Sequence, residues 1–469
     1  MSFKAILKKI LPKKIYNLKH LLLAWYGAYK YGHPSEEIFV IGITGTSGKS
    51  STTYFLRQML EYAGFKVGSL STIDFYVAGE HKLNDQKMTM LGRFQIQKYL
   101  REMVSKGCDI AIVETTSEGA VQHRHKFINY DIMVLTNLYP EHIESHGSFE
   151  NYKNAKLSIF DYVSHSKRKK VFGKWKNLKW GEFIPKISVV NADLSDTHDA
   201  FEGTAQEFVS TPFDHKYTFG KKSRDEHLLG SPAQNHFQLF QPRVTEKGLE
   251  FKIGQEPFVA PLFGEHNMMN ILCSLEICHI LGIDWHTTLK EAVSQLKPPA
   301  GRIEFIREAE SFGFRVIVDY AFEPVAIEKL YEVVKKIQPK RVIHVFGSTG
   351  GGRDVSRRFT VGEYVGTHAD VCIITDEDPY DDEPLGIIED VASAVAKTGK
   401  KLGTNLFKIL SRSEAIQKAI DLAQIGDLVL LTGKGSEQKM VVKGKMIAWD
   451  DREEARAALN NRKEKKSMV

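Results

Sequence analysis

Four features of the chain could do chemistry together: a glycine pair followed by a lysine at Gly45 to Lys49, a carboxylate at Glu114, a run of imidazoles and acids from Glu141 to His146, and a lysine at Lys156. In Gly42-Ile-Thr-Gly-Thr-Ser-Gly-Lys-Ser-Ser51, Gly45 and Gly48 let backbone amides close around a phosphate and Lys49 reaches the outer phosphates. Ser50 is placed to hold magnesium. The spacing departs from GxxxxGK[ST], since the nearest upstream glycine is Gly42, and a glycine-rich turn without nucleotide is the plain alternative. Glu114 ends the apolar run from Ile110, at the carboxyl edge of a sheet where ligands of such folds collect, and suits a hard magnesium ion at a γ-phosphate. Between Thr136 and Gly147 stand Glu141, His142, Glu144 and His146. No HExxH accompanies them, so a second magnesium site is preferred to zinc.

These groups need elements to position them. Buried apolar runs at 38–43, 66–70, 110–114 and 132–135 read as strands, with helices at 49–63 and near 95–106, which is the pattern of a parallel α/β sheet. A second strand-helix series begins near Phe314, with strands at 316–319, 342–346, 371–375 and 428–432 and helices at 325–336 and 413–423. The fold expected is α/β: a P-loop central ATPase domain with a parallel sheet over 38–299, then a Rossmann-like doubly wound domain over 300–469. The linker falls in Lys297-Pro-Pro-Ala-Gly301, where proline and glycine interrupt both periodicities. Residues 1–37 form a separate basic amphipathic segment: seven lysines and no acid precede Glu36, interleaved with leucines and isoleucines. It could touch an anionic membrane or a partner, and the plainer reading is a helix packed on the next domain. The stretch 165–185, with seven lysines or arginines and two tryptophans, reads as a surface loop or lid.

Composition narrows the class. A chain of 469 residues with 42% hydrophobic, 26% charged and 10% aromatic content fits a soluble enzyme of two or three domains. The net charge of +6 lies mainly in two patches, a weak basis for nucleic-acid binding. The four cysteines show no CxxC spacing, and the apolar run Leu21 to Tyr29 falls short of the roughly 20 residues that span a bilayer. With no cleavage site of small residues after it, secretion is rejected. A cytoplasmic monomer that binds no nucleic acid is expected.

Taken in order, these motifs resemble the Mur ligases, and within them the MurE branch, from about Ile38 to Arg456. Thr44-Gly-Thr-Ser-Gly-Lys-Ser-Ser51 resembles TGTNGKTT; Glu114-Thr-Thr-Ser117 and Val121-Gln-His-Arg124 resemble EVSS and VQHR; Thr136-Asn-Leu and His142 to Gly147 resemble TNLxxDHLDxHG. Downstream, Tyr152 to Lys156, Gly264-Glu-His-Asn267 with Asn270, Gly301-Arg-Ile-Glu304, Asp319-Tyr-Ala321, Gly433-Lys-Gly-Ser-Glu437 and Asp450-Asp-Arg-Glu453 each have a counterpart. The resemblance implies ATP held by Gly45 to Ser51, Asn137, Asn267, Arg302, Asp319 and Tyr320. It implies two magnesium ions at Ser50, Glu114, His142 and a carbamylated Lys156, and it makes Lys49, Glu114, His142 and Lys156 catalytic. A nucleotide-linked peptide acceptor would meet Thr89, Thr116, Ser117, Gln122 and Arg124, and the amino acid would meet Arg353, Asp378, Tyr380, Gly433 and Glu437.

The implied reaction is attack of the acceptor carboxylate on the γ-phosphate of ATP, then displacement of the acyl phosphate by an amine, with domain closure across Pro298–Gly301 excluding water. The chain departs from the family pattern in three places. Too few residues precede Ile38 for the UDP-binding domain, MTTPD becomes Met88-Thr-Met-Leu-Gly92, and the selector DNPR becomes Glu377-Asp-Pro-Tyr380. The last change removes the arginine that would grip a second carboxylate, so lysine stands beside diaminopimelate as the amine, with Arg357 or Arg358 able to compensate. A folate or polyamide acceptor is the rival within the family. A nucleotide-binding protein without turnover is the rival outside it, and retention of Glu114, His142 and Lys156 argues against it.

Overall fold

The structure, a computed structural model, describes residues 13–84, 88–140, 146–178, 180–197, 204–221, 235–245, 248–352 and 355–467. The chain divides into two compact units, Met1–Lys297 and Pro298–Val469.

The first unit is built on a sheet that starts from β1 (Phe39–Thr44), flanked in parallel by β5 (Ile110–Glu114) and β6 (Ile132–Leu135). All residues of these three strands are buried, as expected where helices cover both faces of a parallel sheet. Alternation along β1 divides the core. Phe39, Ile41 and Ile43 join Phe55, Met59, Ile112 and Leu275 on one face; Ile38 and Val40 join Leu100, Met103, Val113 and Phe160 on the other. Outward on one side lie β2 (Val67–Leu70), β3 (Asp74–Val77) and β4 (Glu80–Leu83). On the other lie β7 (Ile187–Asn191), β8 (His215–Gly220), β9 (Asn235–Thr245), β10 (Gly248–Ile253) and β11 (Glu256–Ala260). The order β11-β10-β9-β8-β7-β6-β1-β5-β2-β3-β4 is parallel from β9 to β2 and antiparallel at both ends.

The second unit holds a doubly wound sheet of β12 (Glu304–Phe305), β13 (Arg315–Asp319), β14 (Val342–Phe346), β15 (Val371–Ile374), β16 (Leu406–Lys408) and β17 (Leu428–Thr432), in the order β12-β13-β17-β14-β15-β16. Only β12 runs antiparallel. Both units therefore have the α/β architecture expected from their alternating strands and helices.

The basic stretch 165–185 is a surface loop anchored in the core at two points. Trp175 is buried against Phe39, with ring centroids 4.5 Å apart, and against Phe65 at 5.6 Å. Lys169, also buried, donates from Nζ to Asp131 at 2.5 Å and to the carbonyl of Ile38 at 2.8 Å. Lys186 reaches the other oxygen of Asp131 at 3.4 Å and Asn129 Oδ1 at 2.6 Å. Two ammonium groups thus share one buried carboxylate at the start of β6, and Asp131 also accepts the amide of Val40 at 2.9 Å. Burial lowers the Lys169 ammonium to about 8, with Asp131 opposing. Of the stretch's basic residues Lys169 is internal, while Lys167, Lys170, Lys174 and Lys176 remain exposed, as in a surface loop. Asp131→Ala leaves two buried cations without a counter-charge and is expected to cost about 3–5 kcal/mol in urea unfolding. A loss under about 1 kcal/mol would show that water reaches the site.

Candidate active site

The loop after β1 owes its shape to glycine. Gly45 has φ +152° and Gly48 φ +77°; a Cβ on Gly45 would sit 1.9 Å from Thr136 Oγ1, and one on Gly48 2.5 Å from Asn270 Oδ1. Gly48 is the N-cap of the helix Lys49–Tyr62, and no side chain caps it. The first-turn amides and the positive end of the helix dipole are therefore available to an anion.

Asn137, two residues beyond β6, clamps this loop. Its Oδ1 accepts the amides of Thr46 at 3.1 Å and Ser47 at 2.8 Å, while its Nδ2 donates to Ser47 O at 3.0 Å. Thr136 Oγ1 donates to Ser47 O at 2.7 Å, and Tyr152 OH to Thr46 Oγ1 at 3.0 Å. From the helix His266–Ile280, Asn270 accepts from Thr52 Oγ1 at 3.3 Å, and Asn267 in turn accepts from Asn270 Nδ2 at 3.1 Å. Lys49 folds over the loop, donating to the carbonyls of Gly45 at 3.0 Å and Thr46 at 2.8 Å. Lys156 is buried in the helix Phe149–Ser164 and donates to the same Gly45 carbonyl at 2.8 Å.

Register places the carboxylate. Ile43 pairs with Glu114, so the buried Glu114 emerges beside the start of the loop. It accepts the amide of Thr72 at 3.1 Å and the Thr72 hydroxyl at 3.1 Å, and Thr72 Oγ1 also bonds Thr89 Oγ1 at 3.0 Å. Burial pushes the Glu114 carboxyl up, opposed by the Lys49 charge and by hydrogen bonds from Ser50 and Thr72. A connected line thus runs from Thr89 through Thr72 and Glu114 to Ser50. Partly buried Ser50 and buried Glu114 offer oxygen donors of the kind magnesium takes, and they fit an ion that completes its shell on a nucleotide. Among the described residues no cluster of three His, Cys, Asp or Glu side chains could cage a metal unaided. His142 lies outside the described residues.

Beside Thr89 stand the other expected acceptor residues. Thr116 caps the helix Ser117–Val121 by accepting the Gly119 amide at 3.0 Å, and Ser117 is buried at its start. Gln122 Oε1 accepts from Arg124 at 2.8 and 3.2 Å, and Arg124 also donates to the carbonyl of Met90. The loop that presents Arg124 is held at φ +56° at His123 and +62° at Phe127, conformations that bulky residues seldom adopt.

The second unit gathers its expected residues at the carboxyl ends of β13 and β17. Asp319 accepts the amides of Ile303 and Ala321, each at 2.7 Å, and burial raises its carboxyl. The Arg302 guanidinium lies 4.5 Å over the Tyr320 ring, whose hydroxyl donates to Glu437 at 3.1 Å. Gly433 (φ +100°) leaves no space for a side chain: a Cβ would meet Glu377 Oε2 at 2.3 Å. Lys434, fully buried, donates to Asp378 at 2.9 Å and Glu437 at 2.6 Å. Asp378 is thus already engaged, and its second oxygen accepts the Val441 amide at 2.7 Å. Tyr380 sits at φ +54°, its backbone bonded to Val441 and Lys443, and its ring lies beside Gly351. Arg357 pairs with Glu323 at 2.9 Å and Arg358 with Asp390 at 2.9 Å. Arg353 lies outside the described residues.

Sequence reasoning alone misses Thr72 and Arg412. Thr72 follows β2, whose Leu70 pairs with Val113, so a polar residue just past a buried strand was the available signal. Arg412 is buried and binds Asp451 at 2.6 and 2.7 Å and the carbonyl of Thr432 at 2.7 Å. No local pattern announces it.

Two outcomes are expected. Thr72→Val cuts the line between Thr89 and Glu114; loss of a hydrogen bond to a charged group, about 1.5–3 kcal/mol, predicts a roughly 10–100-fold fall in kcat with the KM for nucleotide little changed. Wild-type kcat in that variant would show that the line is not used. Glu377, fully buried, is raised to about 7, chiefly by desolvation. Its contribution to stability is complete below the unfolded value of 4.5 and is lost as pH rises through about 7. Denaturant titrations of Glu377→Gln between these pH values should be flatter than those of the parent.

Comparison with known proteins accords with this geometry. Residues 43–278 match the Mur ligase middle domain, and residues 301–435 match the Mur ligase, glutamate ligase domain. The chain is 31% identical to a UDP-N-acetylmuramyl-tripeptide synthetase of Roseiflexus sp. (strain RS-1), over 93% of this chain and 81% of that protein. It is 30% identical to a UDP-N-acetylmuramoyl-L-alanyl-D-glutamate–2,6-diaminopimelate ligase of Clostridium botulinum, over 92% and 80% respectively. The fold also matches a crystal structure of Mycobacterium tuberculosis folylpolyglutamate synthase complexed with ADP and AMPPCP, with TM-score 0.64 and 15% identity over 89% of this chain and 93% of that one. At that identity the likeness is one of fold. With the glycine loop after β1, the buried Glu114 beside it and both domain types in order, the chain belongs to the Mur ligase family of ATP-dependent amide ligases.

Proposed function

We propose that the chain activates the terminal carboxylate of a UDP-N-acetylmuramoyl-L-alanyl-D-glutamate-like acceptor and joins it to a diamino acid. The observation that carries this reading is the line from Thr89 through Thr72 to Glu114 and Ser50, which links the acceptor residues to the phosphate loop. Names of relatives that cover most of the chain support the same acceptor.

In this reading Gly45 to Ser51 and Asn137 hold the phosphates, and Lys49 leaves the loop carbonyls to meet the γ-phosphate. Arg124, braced by Gln122, takes an acceptor carboxylate as a bidentate partner. The acceptor oxygen attacks the γ-phosphorus as ADP departs, and the amine nitrogen then attacks the acyl carbon and expels phosphate. Two anions must meet for the first step, so positioning and electrostatics supply the catalysis. Magnesium, held by Ser50, Glu114, His142 and a carbamylated Lys156 in a two-ion site, would neutralise charge on the phosphates. Arg302, Asp319 and Tyr320 take the nucleoside side; Arg353, Asp378, Tyr380, Gly433 and Glu437 take the amine.

Tyr380 stands where an arginine would grip a second carboxylate, and Arg357 and Arg358 are already paired with acids. This favours lysine over diaminopimelate. Phosphate release should require both acceptor and amine, and mass spectrometry should find the lysine adduct as the faster product. Release independent of acceptor, or a product formed only with a folate-type acceptor, would overturn the assignment.

A further inference from the structure

The helix Lys13–Lys30 is packed the wrong way round for a helix that merely covers a domain. On its inner face Ala24, Gly27 and Ala28 are buried, with Gly27 in ordinary contact with the helix Arg93–Ser105. Arg101 pins the end of the helix, donating to the carbonyls of Tyr31 and Gly32 at 2.8 Å each. Leu21 and Leu23 are half-buried and Tyr26 meets Phe94 edge-on at 5.6 Å, but four other large apolar side chains point outward. Leu18 is 55% exposed, Leu22 55%, Trp25 48% and Tyr29 63%, and Trp25 stacks on Tyr29 at 5.8 Å. At spacings of four, three and four these residues form one stripe, within about 60° of arc. A contiguous apolar and aromatic stripe left in water marks a surface that meets something else.

Charge indicates what that is. No acid occurs before Glu36, whereas this helix alone contributes Lys13, Lys14, Lys19 and Lys30. Lys19 and Lys30 are exposed and lie together along one side of the stripe on the helical wheel. A second copy of the chain would bring like charges face to face, which disfavours self-association. No helix among the described residues is long and apolar enough to cross a membrane. Leucine, tryptophan and tyrosine on one side with lysines alongside and no acid is the composition of a helix lying in the interface of an anionic bilayer. We infer that the stripe Leu18, Leu22, Trp25 and Tyr29 docks this enzyme on a negatively charged lipid surface, with the helix parallel to the membrane plane.

The test uses the full chain and sedimenting vesicles of phosphatidylcholine, with or without phosphatidylglycerol. The chain should sediment with the anionic vesicles, should be released by added salt, and should not sediment with phosphatidylcholine alone. The double variant Leu22→Ser/Trp25→Ser should weaken binding at least tenfold. Lys19→Glu/Lys30→Glu should do the same through charge while leaving the apolar stripe intact. Both variants alter exposed side chains outside the ligase machinery, so unchanged nucleotide-dependent phosphate release certifies their fold. Absence of binding to anionic vesicles, or binding that survives both variants, overturns the inference. So does a stable dimer in solution that the Leu22→Ser/Trp25→Ser pair dissociates, since the stripe would then be an interface between copies.

Discussion

The parallel pairing of β1 with β5 on one side and β6 on the other decides where the central groups of the first unit's candidate site emerge. Ile43 lies opposite Glu114 and Thr44 opposite Leu135, so the glycine loop, the buried carboxylate and the Thr136-Asn137 pair leave the sheet at one level. A slip of one residue would turn Glu114 to the other face and carry Asn137 away from the amides it satisfies. That register is enforced from both faces, because alternate residues of β1 are committed to two separate cores. Precision at the site is thus a by-product of packing far from it.

The second unit reaches order by a different route. Lys434, Asp378, Glu437, Arg412, Asp451 and Glu377 are charged groups held largely out of water near the ends of β15 and β17, and most are bonded to one another. Such networks contribute little net stability, since desolvation offsets attraction, but they fix side-chain directions in advance. Glu437 illustrates the use: one oxygen receives Tyr320 and the other Lys434, so the ring beneath Arg302 cannot turn without disturbing the loop after β17.

Much of this was legible in the sequence, and the rest was hidden for identifiable reasons. Strands at 110–114, 132–135, 342–346 and 428–432 could be read to the residue, because each is a fully buried apolar run with polar neighbours. The antiparallel extension from β9 to β11 escaped notice, since β10 and β11 are short and bury only alternate residues such as Phe251, Ile253, Phe258 and Ala260. The anchoring of the stretch 165–185 was hidden because Lys169 meets Asp131 and Trp175 is covered by Phe39, partners more than thirty residues away. Arg412 and Thr72 acquire meaning only once distant strands are neighbours. Tyr380 could be flagged as a departure from a motif, but its left-handed backbone and its bridge to Val442 depend on a hairpin sixty residues on.

The antiparallel ends of the large sheet carry one more consequence. An open sheet of eleven strands has two edges, each a row of backbone donors and acceptors able to recruit a further strand. Here one edge is the short β4, with Glu80, His81 and Lys82 in sequence, and the other is β11, which opens with Glu256 and Pro257. Charge and a missing amide make both poor templates for cross-β growth. What protects a wide sheet of this kind from strand addition is thus the composition of its outermost strands rather than the reversal of direction that precedes them.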